Sequence, residues 1–397
     1  MAHTSPIFSQ LMRLLPHREF RRCVKSYDGD RNIRTFSCKD QFLCMAFAQL
    51  TYRESLRDVE ACLRAVDTNL YHLGIRGKVS HATLADANER RDWRIFADFG
   101  EIVIKRAQRE LSGSHFGIDI KNAIYALDST VIETCLSLFP WTFWSEHESK
   151  GGLKAHALLD VNKNIPVFID ITERKVGDSQ AIDKIALEPG AFYIMDRAYL
   201  DWKRLYHINC SGAFFVLRTK KNTAIKRIYS NDVDKSTGVR SDQVVRTNAK
   251  NKTYQQKYSD KLRRISYFDS NTEQRLVFLT NNFYLPAKSI ADLYKSRWQI
   301  ELFFKWIKQN LRIKKFYGNS SNAVKIQIWI AITVYILVAI AKKRLQLPHS
   351  HYTILQVLSV TLLEKKPILQ AFSEQHYNSD CQIEDNQLDL FTETVGQ

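Results

Sequence analysis

Two aspartates of the sequence stand where apolar runs end. Asp128 follows the run in "YALDST", and Asp196 follows the run in "YIMDRAY". A carboxylate at the end of an apolar strand is costly unless it binds something. The usual ligand is a hard cation that is held by oxygen atoms and by substrate phosphates. For either aspartate alone, capping of a loop is the commoner explanation, so the pair points to a metal site only together with a third acid.

That third acid lies in the segment "YKSRWQIELFFKWIKQNLRIKK", whose apolar period predicts one helix through Tyr294 and Glu301. At about 100° per residue, Tyr294, Arg297, Glu301 and Lys308 share one face of that helix. That face presents a phenol, a guanidinium, a carboxylate and an ammonium group in line. The alternative is an exposed face with an Arg297–Glu301 pair four residues apart. The apolar face that would meet a core consists of Ile300, Phe303, Phe304, Ile307 and Leu311.

The charge of the chain is concentrated in one stretch. Of the 397 residues, 45% are hydrophobic and 25% charged, and the net charge is +16, with a pI near 9.4. Residues 201–320 carry 25 basic and 9 acidic residues, whereas residues 116–200 carry 8 basic and 12 acidic ones. A basic region beside an acidic one predicts polyanion binding next to a metal or acid site. The alternative for the basic stretch is a solvated basic face.

Cysteine usage and hydropathy predict a cytoplasmic protein. The seven cysteines are scattered without a CxxC pair or zinc spacing, as is typical of reduced thiols. The first twenty residues lack an apolar run of signal-peptide length. The apolar stretch 326–341 is shorter than the roughly 20 residues of a membrane span. We therefore expect a buried core helix there and no membrane.

Residues 1–115 are predicted to form a helical DNA-binding domain. Two long runs, 40–66 and 80–111, have helical spacing of their apolar residues, and "HLGIRGKVS" between them has the composition of a turn. A helix–turn–helix of this kind is a plausible DNA reader, and the alternative is a docking domain without base contacts. The basic residues expected to contact DNA from the second helix are Arg90, Arg91 and Arg94.

Beyond residue 115 the pattern changes to short β-branched and aromatic runs that predict an α/β sheet with helices. "DVNKNIP" is predicted to be a hairpin loop within it. The sequence contains no GxxxxGK, GxGxxG, GxSxG or HExxH motif, which argues against nucleotide-loop, hydrolase-elbow and zincin chemistry. The sequence predicts four parts here. Residues 116–218 are the first part of the core, with Asp128 and Asp196, and residues 219–273 are a basic β-rich insertion. Residues 274–346 are the second part of the core, with the helix of Glu301, and residues 347–397 are a C-terminal helix and an acidic tail.

"YALDST", "YIMDRAY" and the series Tyr294-x2-Arg297-x3-Glu301-x6-Lys308 together resemble the signature of DDE transposases of the IS-four insertion-sequence family. The blocks "KGGLKAHALLDVNKNIPVFIDIT", "FFVLRTKKN" and "QIWIAITVYIL" fit as well, so the resemblance covers residues 1–345. It implies an α/β fold: an RNase H-like mixed sheet with flanking helices, interrupted by a β-rich insertion and preceded by an all-α N-terminal DNA-binding domain.

The resemblance also implies the catalytic groups. Asp128, Asp196 and Glu301 would be catalytic and would hold two Mg²⁺ ions, for which Mn²⁺ is the expected substitute. Tyr294, Arg297 and Lys308 would contact DNA phosphates near the cleaved end. Two further residues of the helix, Trp298 and Lys305, are predicted to bind DNA. A base that is pulled from the stack would need an aromatic partner, for which the candidates are Trp298, Tyr254, Tyr258, Tyr267 and Phe268.

The expected function is cut-and-paste transposition of the protein's own insertion sequence in a bacterial cytoplasm, at the nucleoid. A homodimer on paired ends would bind double-stranded DNA at the terminal inverted repeats and nick it, with a hairpin intermediate expected. The free 3′ hydroxyl would then be joined to target DNA. The alternatives are a catalytically silent DNA-binding protein derived from a transposase and a host nuclease that cuts without joining.

Overall fold

A computed structural model describes most of the chain, with helices before and after a large central sheet. Three features singled out in the sequence analysis lie outside the part of the chain that the structure describes: Tyr254, Leu311 and the acidic tail from residue 374 onward. The structure describes residues 5–66, 70–111, 120, 122–134, 137–142, 151–219, 223–247, 258–310 and 316–373.

Helices account for the regular structure of the described residues before the sheet. The predicted helix over 40–66 is interrupted at 51–55, and the one over 80–111 is interrupted at 91–93. Ser55 and Ser80 each accept a hydrogen bond from a backbone N–H in the first turn of a helix, which is the local signal for a new start. The helices are α1 (Ile7–Met12), α2 (His17–Ser26), α3 (Cys38–Leu50), α4 (Leu56–Ala65), α5 (Leu70–Leu73), α6 (His81–Arg90) and α7 (Arg94–Glu110).

The central sheet is mixed, as the sequence predicts for an α/β protein. Its strands lie in the order β3-β2-β1-β4-β5-β9-β8-β7-β6. The neighbours β1, β4 and β5 are parallel, and every other adjacent pair is antiparallel. The strands are β1 (Ile124–Thr134), β2 (Gly151–Asp160), β3 (Ile165–Glu173), β4 (Phe192–Met195), β5 (Phe214–Arg218), β6 (Ile225–Asn231), β7 (Val239–Thr247), β8 (Leu262–Asp269) and β9 (Gln274–Thr280).

The basic β-rich region extends this sheet. Strands β6, β7 and β8 form an antiparallel meander, and β9 connects the meander to β5. The "DVNKNIP" loop joins β2 to β3 as a hairpin, as predicted. The basic region and the acidic strands therefore belong to one continuous layer.

The remaining helices flank the sheet, and α11 is the most buried of those described. Its length and hydropathy would suffice to span a membrane, yet 89% of its most apolar stretch of 18 residues is buried inside the protein. It packs against α3, α6 and α7, so it joins the N-terminal helices to the sheet. These helices are α8 (Trp202–Cys210), α9 (Ala287–Lys295), α10 (Trp298–Asn310), α11 (Ser321–Arg344), α12 (His351–Thr361) and α13 (Gln370–Ser373).

The contact between α7 and α11 requires a glycine. A Cβ atom on Gly100 would lie 2.8 Å from Cε3 of Trp329 and 3.2 Å from Oγ1 of Thr333. Both distances are shorter than ordinary van der Waals contacts, so a larger residue would push the two helices apart.

The two faces of the sheet belong to two apolar cores. The first core contains Ile124 and Phe192 together with the N-terminal helices, α9, α10 and α11. The second contains Leu127, Tyr193 and the buried side of α8. Because side chains alternate along a strand, the position of a residue in its strand determines which core it faces.

A buried ion pair connects the meander to the loop before α9. Nε and Nη2 of Arg263 donate to the two carboxylate oxygens of Asp242 at 2.9 and 2.8 Å. Nη1 of Arg263 also donates to the backbone oxygen of Leu285 at 2.6 Å. This network stabilises the position from which α9 begins, at Ala287.

Replacement of Asp242 by alanine should destabilise the protein. It would leave the Arg263 charge buried without its partner, and we expect the free energy of unfolding to fall by about 3–5 kcal/mol. Chemical denaturation followed by circular dichroism measures the change. The control Glu173→Ala removes an exposed partner of Lys175 and should cost less than about 1 kcal/mol. Equal losses in the two variants would contradict a structural role for the buried pair.

Candidate active site

The ends of three parallel strands bring charged side chains to one edge of the sheet. Leu127 pairs with Met195 across β1 and β4, so the next residues, Asp128 and Asp196, are neighbours. Met195 pairs with Leu217 across β4 and β5, so Arg218 follows beside Asp196. By alternation, these charged residues face the first core, on the side of α9 and α10.

The third acid reaches this edge from α10, which packs on β1. Nη1 of Arg297 donates to Oδ2 of Asp128 at 3.1 Å, and Nη2 donates to Oε1 of Glu301. The hydroxyl of Tyr294 donates to Oδ1 of Asp196 at 3.4 Å. The structure thus brings the predicted acids and the first two residues of the predicted helix face into one hydrogen-bonded cluster.

The prediction of one continuous helix is wrong, because α9 ends at Lys295 and α10 begins at Trp298. The hydroxyl of Ser296 donates to the backbone oxygen of Leu293 at 2.6 Å, and such a bond competes with helical hydrogen bonding. The chain instead forms a tight turn, in which the N–H of Arg297 bonds to the oxygen of Tyr294 at 3.1 Å. The turn keeps the two side chains together, with Cζ of Arg297 5.6 Å from the centre of the Tyr294 ring.

Tyr294 is a buried, neutral donor and does not lie on an exposed stripe. Its side chain is 6% exposed, and its ring centre lies 4.7 Å from that of Phe278 on β9. Burial raises the pKa of this phenol above its ordinary value. Tyr294 can therefore orient the carboxylate of Asp196 by donating a hydrogen bond.

Arg297 is the cation of the cluster. Burial alone would lower its pKa, but the neighbouring Tyr294, Glu301 and Asp128 raise the pKa of the guanidinium above its ordinary value. Arg297 therefore remains charged and compensates two of the carboxylates at once.

The surroundings of Asp128 oppose its negative charge. Burial raises the pKa of Asp128 to about 6, and Glu301 and Asp196 act in the same direction. The backbone N–H of Ser129, 2.8 Å from Oδ1, and the Arg297 guanidinium oppose this rise. The ionised form of Asp128 therefore carries a net cost, which a further cation would relieve.

The other described side chains of α10 form one exposed side and one buried, apolar side. Trp298 is 54% exposed and Lys305 is exposed, so both can reach a partner. Lys308 is half-buried, and burial lowers its pKa, opposed by Glu133 of β1. The predicted apolar face is confirmed in the described residues, since the following side chains are buried: Ile300, Phe303, Phe304 and Ile307.

Among the aromatic residues that were candidates for stacking on a base, two are buried. Tyr258 is 1% exposed and lies between other aromatic rings, and Tyr267 is 6% exposed. Neither can present its face to a base without a rearrangement. Phe268 is half-buried, which leaves Trp298 as the most exposed candidate in the described part of the chain.

The three N-terminal arginines do not share one helix, because α6 ends at Arg90 and α7 begins at Arg94. Arg91 lies between the two helices and is 6% exposed. It donates to the backbone oxygen of Ser37 and to Oε1 of Gln41, both at 2.9 Å. The structure therefore gives Arg91 a packing role and corrects the expectation of a DNA contact. Arg90 and Arg94 are exposed beside Asp86 and Asp92, so DNA contact by them stays a prediction.

One charged residue of this edge was missed by sequence reasoning. Arg218 ends the apolar run "FFVLR" in the same way as Asp128 and Asp196 end theirs, and this is the signal that could have found it. Its charge lies close enough to lower the pKa of Tyr294, against the larger effect of burial. The edge therefore presents two guanidinium groups beside three carboxylates.

The substitution Asp128→Asn tests whether the Asp128 carboxylate stabilises the fold or is kept for another purpose, such as catalysis. Because the ionised carboxylate carries a net cost, its neutral isostere should leave the free energy of unfolding at pH 7.5 unchanged or raise it by about 1–3 kcal/mol. Chemical denaturation measures this. Asp242→Asn is the matched control, since that buried acid is fully paired and its loss should be destabilising. A destabilised Asp128→Asn would mean that Asp128 mainly supports the fold.

Comparison with known proteins connects this edge to a family. A family model described as "Transposase DDE domain" matches residues 120–337, and a domain of unknown function matches residues 3–76. A putative transposase of Sinorhizobium fredii, y4zB, is 34% identical over 277 residues, which are 68% of this chain and 74% of that protein. A putative transposase for the element IS4SA of Synechocystis is 27% identical over 317 residues, 76% of this chain and 80% of that protein.

Two further proteins are similar at lower levels. The probable transposase for IS5377 of Geobacillus stearothermophilus is 26% identical over 238 residues, 59% of this chain and 60% of that protein. A cryo-EM structure of the piggyBac transposase synaptic complex with hairpin DNA has a TM-score of 0.45 and 11% identity, covering 86% of this chain and 74% of that one. The family model spans more than half of the chain, and y4zB shares 34% of the aligned residues. The chain therefore belongs to the DDE transposases of insertion sequences.

Proposed function

We propose that the protein catalyses cut-and-paste transposition of its own insertion sequence. It would bind the terminal inverted repeats, nick the ends by hydrolysis and join the 3′ hydroxyl to target DNA. The observation that carries this proposal is the convergence of Asp128, Asp196 and Glu301 beside Arg297 at one edge of the sheet. Carboxylates and guanidinium groups at such an edge suit phosphoryl chemistry, in which charge is spread over phosphate oxygens.

The order of the first five strands supports an RNase H-like core. Strands β1, β2 and β3 are antiparallel neighbours, and β4 and β5 follow in parallel on the other side of β1. In this proposal, the meander β6–β8 is the insertion of the catalytic core. The helices before the sheet form the all-α DNA-binding region.

Transposases with this domain use divalent metal ions. As the side chains are placed, no three acid, histidine or cysteine groups of the described residues meet closely enough to hold one ion. The donor chemistry nevertheless fits, because three carboxylates supply the oxygen ligands that Mg²⁺ and Mn²⁺ prefer. Two such ions would activate the attacking oxygen and stabilise the leaving one. In the structure, Arg297 supplies the positive charge between Asp128 and Glu301.

In this proposal, the guanidinium of Arg297 exchanges its hydrogen bonds to the carboxylates for hydrogen bonds to a DNA phosphate. A phosphate group accepts the same paired hydrogen bonds from a guanidinium as a carboxylate does. When a DNA phosphate binds Arg297, the oxygens of Asp128 and Glu301 become free to accept other ligands. Tyr294 would meanwhile hold Asp196 in one orientation, and Arg218 would add positive charge on the far side of that acid.

Exposed side chains would bind the DNA around the cleaved end. We assign this role to Trp298 and Lys305, with Lys308 further along α10, and to Arg90 and Arg94 in the N-terminal helices. Trp298 would stack on the base that is pulled out if a hairpin forms. The enzyme would act as a homodimer on paired ends, at the nucleoid of a bacterial cytoplasm.

Removal of any one of the three acids should abolish cleavage. With Mg²⁺ and a labelled fragment that carries the DNA flanking the protein's own gene, we expect Asp128→Ala, Asp196→Ala and Glu301→Gln to cut at least about a hundredfold more slowly. DNA binding should persist, because the acids do not attract phosphates. The matched control is Glu173→Gln, which removes an exposed carboxylate at the end of β3 and should cleave normally.

The same assay distinguishes the competing functions. Cleavage at the repeat boundary followed by joining supports the transposase, and a hairpin product supports the proposed pathway. Cleavage without joining would indicate a host nuclease. Binding without cleavage by the unmodified protein would indicate a catalytically silent DNA-binding protein.

Arg297→Gln tests the exchange between acids and DNA. Without the guanidinium, we expect the DNA-free protein to bind Mn²⁺ about tenfold more tightly, because one positive charge no longer competes for the carboxylates. Electron paramagnetic resonance of free Mn²⁺ measures this affinity. Cleavage of DNA should fall at the same time. Arg90→Gln is the charge-matched control, and an unchanged Mn²⁺ affinity in Arg297→Gln would refute the exchange.

A further inference from the structure

A polar groove lies in the basic meander and is separate from the active site. Its volume is about 220 Å³. It is formed by β6, β7 and β8 together with Thr219 and Thr223, which lie between β5 and β6 in the chain. The side chains that could bind a ligand there are Thr219, Thr223, Arg227, Gln243 and Arg264.

The groove opens on the reverse face of the sheet. Arg264 pairs with Leu279 across β8 and β9, and Leu279 belongs to the second core. The adjacent Arg263 and Ile265 point to the first core, which is the side of the catalytic acids. At the end of β5, Arg218 faces the active site, and the next residue, Thr219, lines the groove. The two sites therefore lie on opposite faces of the sheet, and the residues at the end of β5 reach both of them.

Among the described residues, the arginines at and beside the groove bond to neutral side chains or to none. Nη1 of Arg264 donates to Oε1 of Gln243 at 3.0 Å, and Nε of Arg275 donates to Oγ of Ser266 at 2.8 Å. Within the described ranges, no carboxylate forms an ion pair with Arg227, Arg264 or Arg275. Burial and the neighbouring Arg275 lower the pKa of Arg264.

Arg263 provides the contrast within the same strand. It is fully buried and is paired in bidentate fashion with Asp242, as a structural arginine requires. Arg264, one residue later, is half-buried beside two other guanidinium groups without such a partner. An uncompensated cluster of this kind costs free energy unless an anion binds to it.

We infer that this groove is a phosphate subsite that binds the backbone of a DNA strand on the reverse face of the sheet. The side chains that line it supply guanidinium, amide and hydroxyl groups, which are the usual partners of phosphate oxygens. None of the described side chains that line it is aromatic, so these residues offer no surface on which a base could stack. The inference rests on the proposed function, since a DNA enzyme supplies the phosphates.

Such a subsite would add a contact that the chemical step does not need. A strand held there lies on the opposite side of the sheet from Asp128 and Asp196, so it affects DNA affinity and leaves cleavage of bound ends unchanged. The 25 basic residues within 201–320 would then act on two faces of one layer. The subsite suits a second stretch of DNA, in addition to the one that is cut.

The salt dependence of DNA binding tests the inference. We would measure the affinity for a fluorescein-labelled duplex by anisotropy over a salt series, using the full-length protein. Arg264→Gln and Arg227→Gln should each weaken binding about three- to tenfold and lower the salt slope by about one, as expected for a lost phosphate contact. Arg227 is exposed, so its replacement tests the groove without disturbing the core. Arg264→Lys keeps the charge and should retain the slope.

Lys203→Gln is the matched control, because Lys203 is exposed on α8, on the same side of the sheet, and does not line the groove. Its slope should equal that of the unmodified protein. Equal salt slopes in the unmodified protein, Arg264→Gln and Arg227→Gln would overturn the assignment of the groove as a phosphate subsite, while the proposed function would stand. Loss in Lys203→Gln equal to that in the groove variants would also overturn it. Failure of the unmodified protein to bind or cut DNA would refute both proposals.

Discussion

The guanidinium of Arg297 is the group on which the candidate active site depends. Asp128, Asp196 and Glu301 repel one another, and burial makes the charge of Asp128 still more costly. Arg297 balances this repulsion through one bond to Asp128 and one to Glu301. The sheet edge therefore assembles around a cation that the chain itself provides. Any other ligand that approaches these acids has to offer an equivalent charge.

The sheet separates two kinds of electrostatic environment. On the side of α9 and α10, acids and arginines neutralise each other in a hydrogen-bonded cluster. On the reverse side of the meander, arginines remain without acidic partners in the described part of the chain. Alternation along β5 and β8 sends adjacent residues to opposite environments. The fold thus distributes one basic sequence region between a face with paired charges and a face whose arginines have no acidic partner among the described residues.

Much of the site could be predicted from the sequence because an apolar run that stops at a charged residue identifies the end of a strand. This signal located Asp128 and Asp196, and it was present but unused at Arg218. The break at Ser296 could not be predicted, since a hydroxyl can donate to its own helix or to solvent. Periodicity also cannot distinguish a buried, paired arginine such as Arg91 from an exposed one.

Helix α11 and the glycine of α7 have an evolutionary consequence. The helices α1, α3, α6 and α7 pack on α11, and Gly100 lets α7 approach Trp329 without space for a larger side chain. They cannot be exchanged as a cassette with those of a relative unless α11 changes with them. Whatever sequence preference the N-terminal helices carry is therefore inherited together with the catalytic layer.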